Sequence, residues 1–275
     1  PERPARTLRR ATSARNPALK LARALHAKKV RRERGLMLAE GEDLVRAALE
    51  RGHRPVAMLF DEERVSDDDP LIADTASLAE RYLVAPGLLA KAGTLATPSR
   101  VVAVFAQPEA ASFRTTAFPP SLGLWLIGVA DPGNVGTLVR TGAALGAEWV
   151  ALGVGSADPF HPRAVRAAMG ATFTVPLLTG VRPDDLATRD GFTVVAAVAH
   201  GGEPPEECPL GGPVVIALGA ERAGVEPGLT GFPEERITRV SIPQAQGAES
   251  LNVAAAGAAL LAEAGRQRRA AKAAL

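Results

Sequence analysis

Cysteine is nearly absent from this chain, and its scarcity limits the chemistry that the sequence can support. The single cysteine, Cys208, excludes an internal disulfide and a zinc site built from several thiolates. The four histidines are scattered and lack the spacing of metal ligands: His26, His53, His161 and His200. We therefore expect no bound metal.

Long apolar runs and aromatic side chains are also scarce. No run approaches the roughly 18 residues that a membrane helix needs, and no charged-then-apolar segment with a small-residue cleavage site is visible. We therefore expect a cytoplasmic protein. Aromatic residues make up 4% of the chain, but hydrophobic residues make up 47%. Within 275 residues, that is enough apolar material for two ordinary domains.

Positive charge is concentrated at the N-terminal end of the sequence. The net charge is +2, yet residues 1–35 hold twelve Lys or Arg against Glu2 and Glu33, a net of +10, so the remainder carries −8. This asymmetry predicts a surface that faces a polyanion, and residues 1–12 are predicted to be a flexible basic arm. The alternative is a solvated terminus without a partner. The candidate contacts are Arg15, Lys20, Lys28, Lys29, Arg31 and Arg32.

The first half of the chain alternates between strand and helix patterns. A helical pattern begins at Asn16, and the alternation over residues 13–107 predicts a small α/β sandwich domain. Residues 108–121 are rich in Pro and without periodicity, so they are predicted to be a linker. The predicted strands are Gly35–Glu40, Val56–Phe60 and Val101–Phe105, and the predicted helices are Asp43–Glu50, Ala73–Arg81 and Gly87–Ala92.

Residues 122–275 predict a second α/β domain with a parallel sheet. Its strand segments are apolar throughout, as expected for strands buried on both faces. The predicted strands are Leu124–Val129, Trp149–Val154, Phe173–Leu177, Phe192–Val198, Val214–Leu218 and Ile237–Ile242. The predicted helices are Val135–Leu145, Ala164–Ala168, Pro183–Thr188 and Asn252–Ala274.

Three glycine-containing segments, two of which also contain proline, interrupt this pattern where an α/β protein exposes backbone amides to a ligand. They are Asp131–Arg140 (DPGNVGTLVR), Leu218–Glu221 (LGAE) and Ser241–Val253 (SIPQAQGAESLNV). The first lacks the G-x-G-x-x-G spacing of a dinucleotide site, which argues against an oxidoreductase. In this order, the three resemble the motifs of the SpoU/TrmH branch of the SPOUT RNA methyltransferases. The likeness is close over about the last 155 residues and looser over the first 110.

The resemblance implies a fold and a reaction. It implies a parallel-sheet domain whose C-terminal segment forms a deep trefoil knot, preceded by an RNA-binding domain like those of ribosomal RNA members of the family. It also implies transfer of a methyl group from S-adenosylmethionine to a ribose 2′-hydroxyl of structured RNA by a homodimer. The accompanying domain favours 23S ribosomal RNA. A transfer RNA enzyme, or a catalytically silent RNA-binding protein of the same fold, remains an alternative.

The first motif supplies two candidate catalytic residues, Asn134 and Arg140. Six residues separate them by about 240° around a straight helix, so we expect Asn134 to lie in the preceding loop as the N-cap. The resemblance implies that Arg140 contacts the RNA phosphate and the reacting ribose, sometimes as a base. Since guanidinium is effectively always protonated, a bidentate phosphate clamp is the physically safer role.

The other two motifs supply the remaining site candidates. Gly219 removes a Cβ from a ligand-facing strand end, and the resemblance assigns cofactor binding to the region of Leu218, Gly219, Ile242 and Leu251. It places Ser250 and Asn252 at the reacting centre, and it implies that Glu221 is a catalytic-site residue that orients Arg140 or the loops around it. The alternatives are a local ion pair between Glu221 and Arg222, and a role for Ser250 as a simple helix N-cap.

Two further arginines, Arg163 and Arg166, lie between the first and second motifs. Their spacing of three places them on one face of a short predicted helix, and family members use a comparable segment beside the active site. RNA contact is therefore one interpretation, and a solvated helix face is the other.

Overall fold

The computed structural model describes residues 7–66, 68–94, 99–109, 111, 120–246 and 250–274. The strands are β1 Leu8–Ala11, β2 Leu36–Glu40, β3 Pro55–Asp61, β4 Glu80–Val84, β5 Val101–Ala106, β6 Leu122–Ile127, β7 Trp149–Gly153, β8 Leu177–Val181, β9 Thr193–Ala197, β10 Val214–Gly219 and β11 Ile237–Val240. The helices are α1 Pro17–Ala24, α2 Lys28–Arg34, α3 Glu42–Glu50, α4 Pro70–Asp74, α5 Pro132–Ala144, α6 Pro162–Ala168, α7 Pro183–Ala187 and α8 Val253–Ala273.

The chain divides into two compact units. The first contains residues 1–108 and 160–173, and the second contains residues 109–159 and 174–275. From the sequence, we expected one domain boundary at residues 108–121. The structure differs because segment 160–173, which carries α6, groups with the first unit. Most of the predicted linker, residues 110 and 112–119, lies outside the described residues.

The first unit is built on a five-stranded mixed sheet in the order β1-β4-β3-β5-β2. The strands β1, β3 and β4 are parallel, while β5 runs antiparallel to β2 and β3. Separate apolar clusters pack against the sheet, one around Phe60 and Phe105 and another around Leu19 and Leu59. Asn16 starts α1 by accepting hydrogen bonds from two backbone amides, and Pro17 follows at a position that needs no N–H donor.

Three predictions for this unit need correction. Residues 8–11 are not part of a flexible arm, because they pair with β4, whereas residues 1–6 lie outside the described residues. The predicted helix Ala73–Arg81 is wrong, since α4 ends at Asp74 and the β-favouring run Tyr82-Leu83-Val84 lies in β4. Around Gly87–Ala92 only a short 3-10 turn, Leu89–Lys91, forms.

The second unit contains the six-stranded sheet β11-β9-β10-β6-β7-β8, whose strands all pair in parallel. Its central strands are wholly buried, for example β6 and β7, which explains why they read as continuous apolar runs. The strand predicted at Phe173–Leu177 is displaced along the chain: a 3-10 turn covers Ala171–Phe173 and β8 begins at Leu177. Parallel pairing brings the carboxyl ends of β9, β10 and β11 to the same edge.

Candidate functional site

An apolar pocket of about 120 Å³ opens at the carboxyl ends of β9, β10 and β11. Open α/β sheets bind ligands at this edge. All four residues predicted to bind the cofactor line this pocket, together with Glu221 and Ser250. The four are Leu218, Gly219, Ile242 and Leu251. Three segments that are far apart in the sequence therefore meet around one cavity.

Gly219 has no room for a side chain. A Cβ at this position would collide with the backbone of Gly224 and Val225. The collision arises because Ala220 and Gly224 exchange two backbone hydrogen bonds, of 3.1 and 2.9 Å, which close a tight loop directly after β10. This loop forms one wall of the pocket and carries Glu221.

Leu251 is exposed for an aliphatic residue, with 43% of its surface accessible. It lies at the pocket beside Val253 and Ala256. A flat aromatic ligand with polar edges, such as adenine, would cover this apolar surface. The apolar walls and the close backbone approach at Gly219 therefore fit the adenosine part of S-adenosylmethionine.

Three predicted catalytic residues are joined by side-chain hydrogen bonds. The Nδ2 of Asn134 donates to Oε1 of Glu221 at 2.6 Å, and the Nδ2 of Asn252 donates to Oδ1 of Asn134 at 3.3 Å. The Oδ1 of Asn252 accepts in turn from the amides of Ala254 and Ala255 at the start of α8. These contacts fix which end of each carboxamide is oxygen and which is nitrogen.

The expectation that Asn134 lies in a loop as an N-cap is wrong. Asp131 is the N-cap of α5, and its Oδ1 accepts from the amide of Asn134 at 3.0 Å. Pro132 occupies the first helical turn, where a missing N–H is tolerated. Asn134 is therefore a residue of the first turn, and its side chain is free to join Glu221 and Asn252.

The start of α8 also differs from the simplest interpretation of the third motif. Asn252, not Ser250, is the N-cap. Ser250 is exposed and lines the pocket. Residues 247–249 of the loop lie outside the described residues.

The second motif shows Glu221 paired with Asn134, and among the described residues no ion pair joins Glu221 to Arg222. Arg222 is exposed on the same tight loop. The local ion pair considered from the sequence is therefore not the contact that Glu221 makes.

Arg140 stands apart from this network. It is exposed on α5, and no described residue forms a hydrogen bond or ion pair with it. Six residues along the helix turn its side chain about 240° from Asn134. The structure thus brings Asn134, Glu221 and Asn252 together but does not add Arg140 to them.

The predicted basic contacts are exposed, with one exception. Arg15, Lys20, Lys28, Lys29 and Arg32 are all exposed in the first unit. Arg31 is only 1% exposed, and its Nη1 donates to the carbonyls of Leu25 and His26 at 2.8 Å. The prediction of an RNA contact is therefore wrong for Arg31, because its guanidinium holds the chain between α1 and α2.

Arg163 and Arg166 have different environments on α6. Arg163 is exposed. Arg166 is part-buried and forms a 3.4 Å ion pair with Glu40, a carboxylate that also accepts two hydrogen bonds from Thr94. Since Glu40 is buried, Arg166 compensates its charge in the first unit, which leaves less of Arg166 to contact a ligand.

Sequence reasoning missed several residues that line the pocket. Ala197 ends β9, Val198 and Ala199 follow it directly, and Gly224 and Gln244 come from neighbouring loops. The rule that ligands bind at the carboxyl ends of parallel strands could have indicated the β9 residues. The other two required knowledge of how the loops fold.

Within the described part of the chain, no group of three or more His, Cys, Asp or Glu residues is arranged to hold a metal ion. No helix in the same set of residues is long and apolar enough to cross a membrane.

Two family models match the chain. Residues 121–262 match the SpoU rRNA Methylase family, and residues 16–103 match the MRM3-like substrate binding domain. The first match spans the pocket, Asn134, Glu221 and Asn252, and it covers more than half of the chain. The chain therefore belongs to the SpoU rRNA methylase family.

Named relatives extend over nearly the whole sequence. The chain is 32% identical to the Bacillus subtilis 23S rRNA (guanosine(2553)-2′-O)-methyltransferase RlmP, over 90% of this chain and 96% of the relative. It is 30% identical to the 23S rRNA (uridine(2479)-2′-O)-methyltransferase of Streptomyces viridochromogenes, over 94% and 93%.

Solved structures agree with this family. The Streptomyces viridochromogenes SpoU methyltransferase AviRb in complex with AdoMet superposes with a TM-score of 0.81 at 27% identity, covering 93% of this chain and 99% of that one. The AdoMet-bound rRNA methyltransferase of Sinorhizobium meliloti gives 0.79 at 31% identity, covering 94% and 98%. The α/β fold with an all-parallel C-terminal sheet is thus common to this chain and to both enzymes.

Proposed function

We propose that this protein transfers a methyl group from S-adenosylmethionine to a ribose 2′-hydroxyl of 23S ribosomal RNA. The observation that carries the proposal is the hydrogen-bonded set Asn134, Glu221 and Asn252 beside an apolar pocket that fits adenosine. The two relatives named as 23S ribosomal RNA 2′-O-methyltransferases, similar over nearly their full lengths, support the substrate. A cytoplasmic location, expected from the sequence, suits such a substrate.

The apolar residues of the pocket bind the cofactor, and the polar residues beside it position the ribose. Leu218, Ile242 and Leu251 enclose the adenosine part, and Gly219 allows the backbone to approach it. The bound cofactor supplies an activated methyl group with a good leaving group. The protein then has to hold the attacking ribose oxygen in line with that methyl, which is where a rigid arrangement contributes most to the rate.

Asn134 is the centre of the positioning group. One of its Nδ2 protons is committed to Glu221, which leaves the second to orient the ribose or its phosphate. Asn252 and Glu221 together prevent the Asn134 carboxamide from turning, and Ser250 faces the same pocket. Arg140 clamps the RNA phosphate through its guanidinium, whose planar fork matches phosphate oxygens.

Arg140 acts across a two-fold dimer in this proposal. Its exposure, its lack of a partner among the described residues and its separation from Asn134 support a role in the site of a second subunit. The helix α8 is buried along one face and exposes Ala255, Ala259 and Ala262 on another, which suits close packing in a symmetric interface. Light scattering tests this, since a fully active monomer would contradict it.

The C-terminal segment closes the site as a deep trefoil knot in this proposal. The inference rests on family membership and on the convergence of the second and third motifs at one pocket. The exposed basic residues of the first unit bind the RNA: Arg15, Lys20, Lys28, Lys29, Arg32 and, on α6, Arg163.

Methylation of purified RNA tests the substrate. The full chain is incubated with methyl-labelled S-adenosylmethionine and either unmodified 23S ribosomal RNA or transfer RNA, and the digested nucleosides are analysed by mass spectrometry. We expect a 2′-O-methyl nucleoside from the 23S RNA only. A methyl group on a base, or methylation of transfer RNA alone, would contradict the proposal.

A further inference from the structure

Gln244 lies on the wall between two depressions. It lines the apolar pocket and also an adjoining cavity of about 350 Å³. Its carbonyl oxygen, Oε1, is buried and accepts no hydrogen bond from the described residues. Buried acceptors without a donor are uncommon in folded proteins and unfavourable, so each needs an explanation.

The backbone that leads to Gln244 is held firmly. The amide of Val198 donates to Val240 at 2.9 Å, and Ser241 bonds both to Glu203 and, through its hydroxyl, to Val198. Pro243 then restricts the backbone immediately before Gln244. The side chain therefore starts from a fixed point at the pocket, while its terminal carboxamide retains a broad, roughly two-fold torsion.

Carboxamide chemistry indicates what would satisfy this group. A Gln side chain pairs an acceptor with a donor, and adenine presents the complementary pair, an exocyclic amino group beside a ring nitrogen. Apart from Glu221 and Ser250, which belong to the positioning group, the other lining side chains are apolar, Leu218 and Leu251 among them. They suit the faces of the ring rather than its polar edge.

We infer that Gln244 recognises the adenine edge of the cofactor, its carboxamide turning so that Oε1 accepts from the exocyclic amino group. The inference rests on the proposed function, since it requires the adenosine to occupy this pocket. It makes Gln244 a specificity-determining residue for cofactor binding, with no part in the transfer itself.

Calorimetric titration of the full chain tests this with two probes that transfer no methyl group: S-adenosylhomocysteine and its analogue lacking the 6-amino group. The wild type should bind the analogue without the amino group roughly five- to tenfold more weakly, the usual effect of losing one hydrogen bond in a buried site. Gln244→Met should bind S-adenosylhomocysteine weaker by a similar factor and no longer distinguish the two probes. Gln246→Met, at an exposed residue two positions on, should behave as the wild type.

Equal binding of the two probes by the wild type would overturn the inference, and this comparison needs no variant to fold. If Gln244→Met still distinguished the two probes as well as the wild type does, the inference would also be overturned, even if both affinities fell. Gln244 would then contact the ribose or the amino-acid part of the probe, and not the amino group of adenine. A wild type that binds neither probe would contradict the proposed cofactor site itself.

Discussion

Asn134 and Glu221 are 87 residues apart in sequence, yet the side-chain carboxamide of Asn134 donates to the carboxylate of Glu221 at 2.6 Å. The contact connects the first turn of α5 to the loop that follows β10. Local hydrogen bonds fix the backbone at both residues. Asp131 caps the helix that carries Asn134, and the backbone hydrogen bonds between Ala220 and Gly224 close the loop that carries Glu221. The pair therefore joins two rigid elements at the mouth of the pocket.

Removing the Glu221 carboxylate should lower the rate of methylation. In Glu221→Ala the Asn134 carboxamide loses the partner that orients it, and losing a hydrogen bond to a charged group corresponds to about 10- to 100-fold in rate. Glu221→Gln keeps an acceptor at the same distance and should recover most of the activity. Single-turnover rates measure the effect, and equal rates in the Ala and Gln variants would contradict an orienting role.

Asn252 has two roles that one pair of variants can separate. Asn252→Ala removes both the cap of α8 and the donor to Asn134, so it should lower stability by about 1 kcal/mol and also lower activity. Asn252→Asp keeps the cap but places a second acceptor opposite Asn134 Oδ1, so it should lose activity while its Tm stays near that of the wild type. Thermal unfolding and initial rates distinguish the two, and an active Asn252→Asp would exclude the positioning role.

Gly219→Ala should disturb the pocket because the added methyl collides with backbone that is held by two hydrogen bonds. Overpacking of this kind costs about 1–3 kcal/mol, and we expect lower stability together with weaker cofactor binding. Gly212→Ala is the matched control, since nothing lies within 4 Å of its Cβ. If both variants bind S-adenosylhomocysteine equally well, the close approach at Gly219 has no importance for the cofactor.

Cys208 should be unreactive in the folded protein. Burial, reinforced by nearby Glu203, raises the pKa of its thiol to about 11, so the thiolate that reacts with disulfide reagents is scarce near pH 8. The thiol keeps its proton to higher pH in the folded state than in the unfolded state. It therefore stabilises the fold at pH values below its ordinary pKa, and this contribution is lost as the pH rises towards 11. Rapid labelling of the native protein at pH 8 would contradict the burial.

The sequence predicted the elements of the sheet better than the contacts within the site. Apolar runs such as Val214–Leu218 located strands well, because burial on both faces leaves a continuous pattern. The Asp131-Pro132 pair could also have indicated the N-cap, since Pro favours the first helical position. The burial of Arg31 gave no comparable signal, because its role depends on carbonyls freed where α1 ends.

The hydrogen bonds among Asn134, Glu221 and Asn252 could not be derived from spacing either. Each joins segments separated by about a hundred residues, and only the pairing of β6 with β10 and the packing of α8 bring them together. The motifs indicated these three residues as candidates, and the fold determines which of them touch.

Arg140→Ala provides the most direct test of the account, because Arg140 is assigned to the RNA and not to the cofactor. Single-turnover methylation of 23S ribosomal RNA and calorimetric binding of S-adenosylhomocysteine are measured side by side for this variant and the wild type. We predict that ribose methylation falls below detection while cofactor affinity stays within about twofold, since a phosphate clamp contributes to the transition state and not to cofactor binding. Methylation at the wild-type rate would contradict the assignment of the active site.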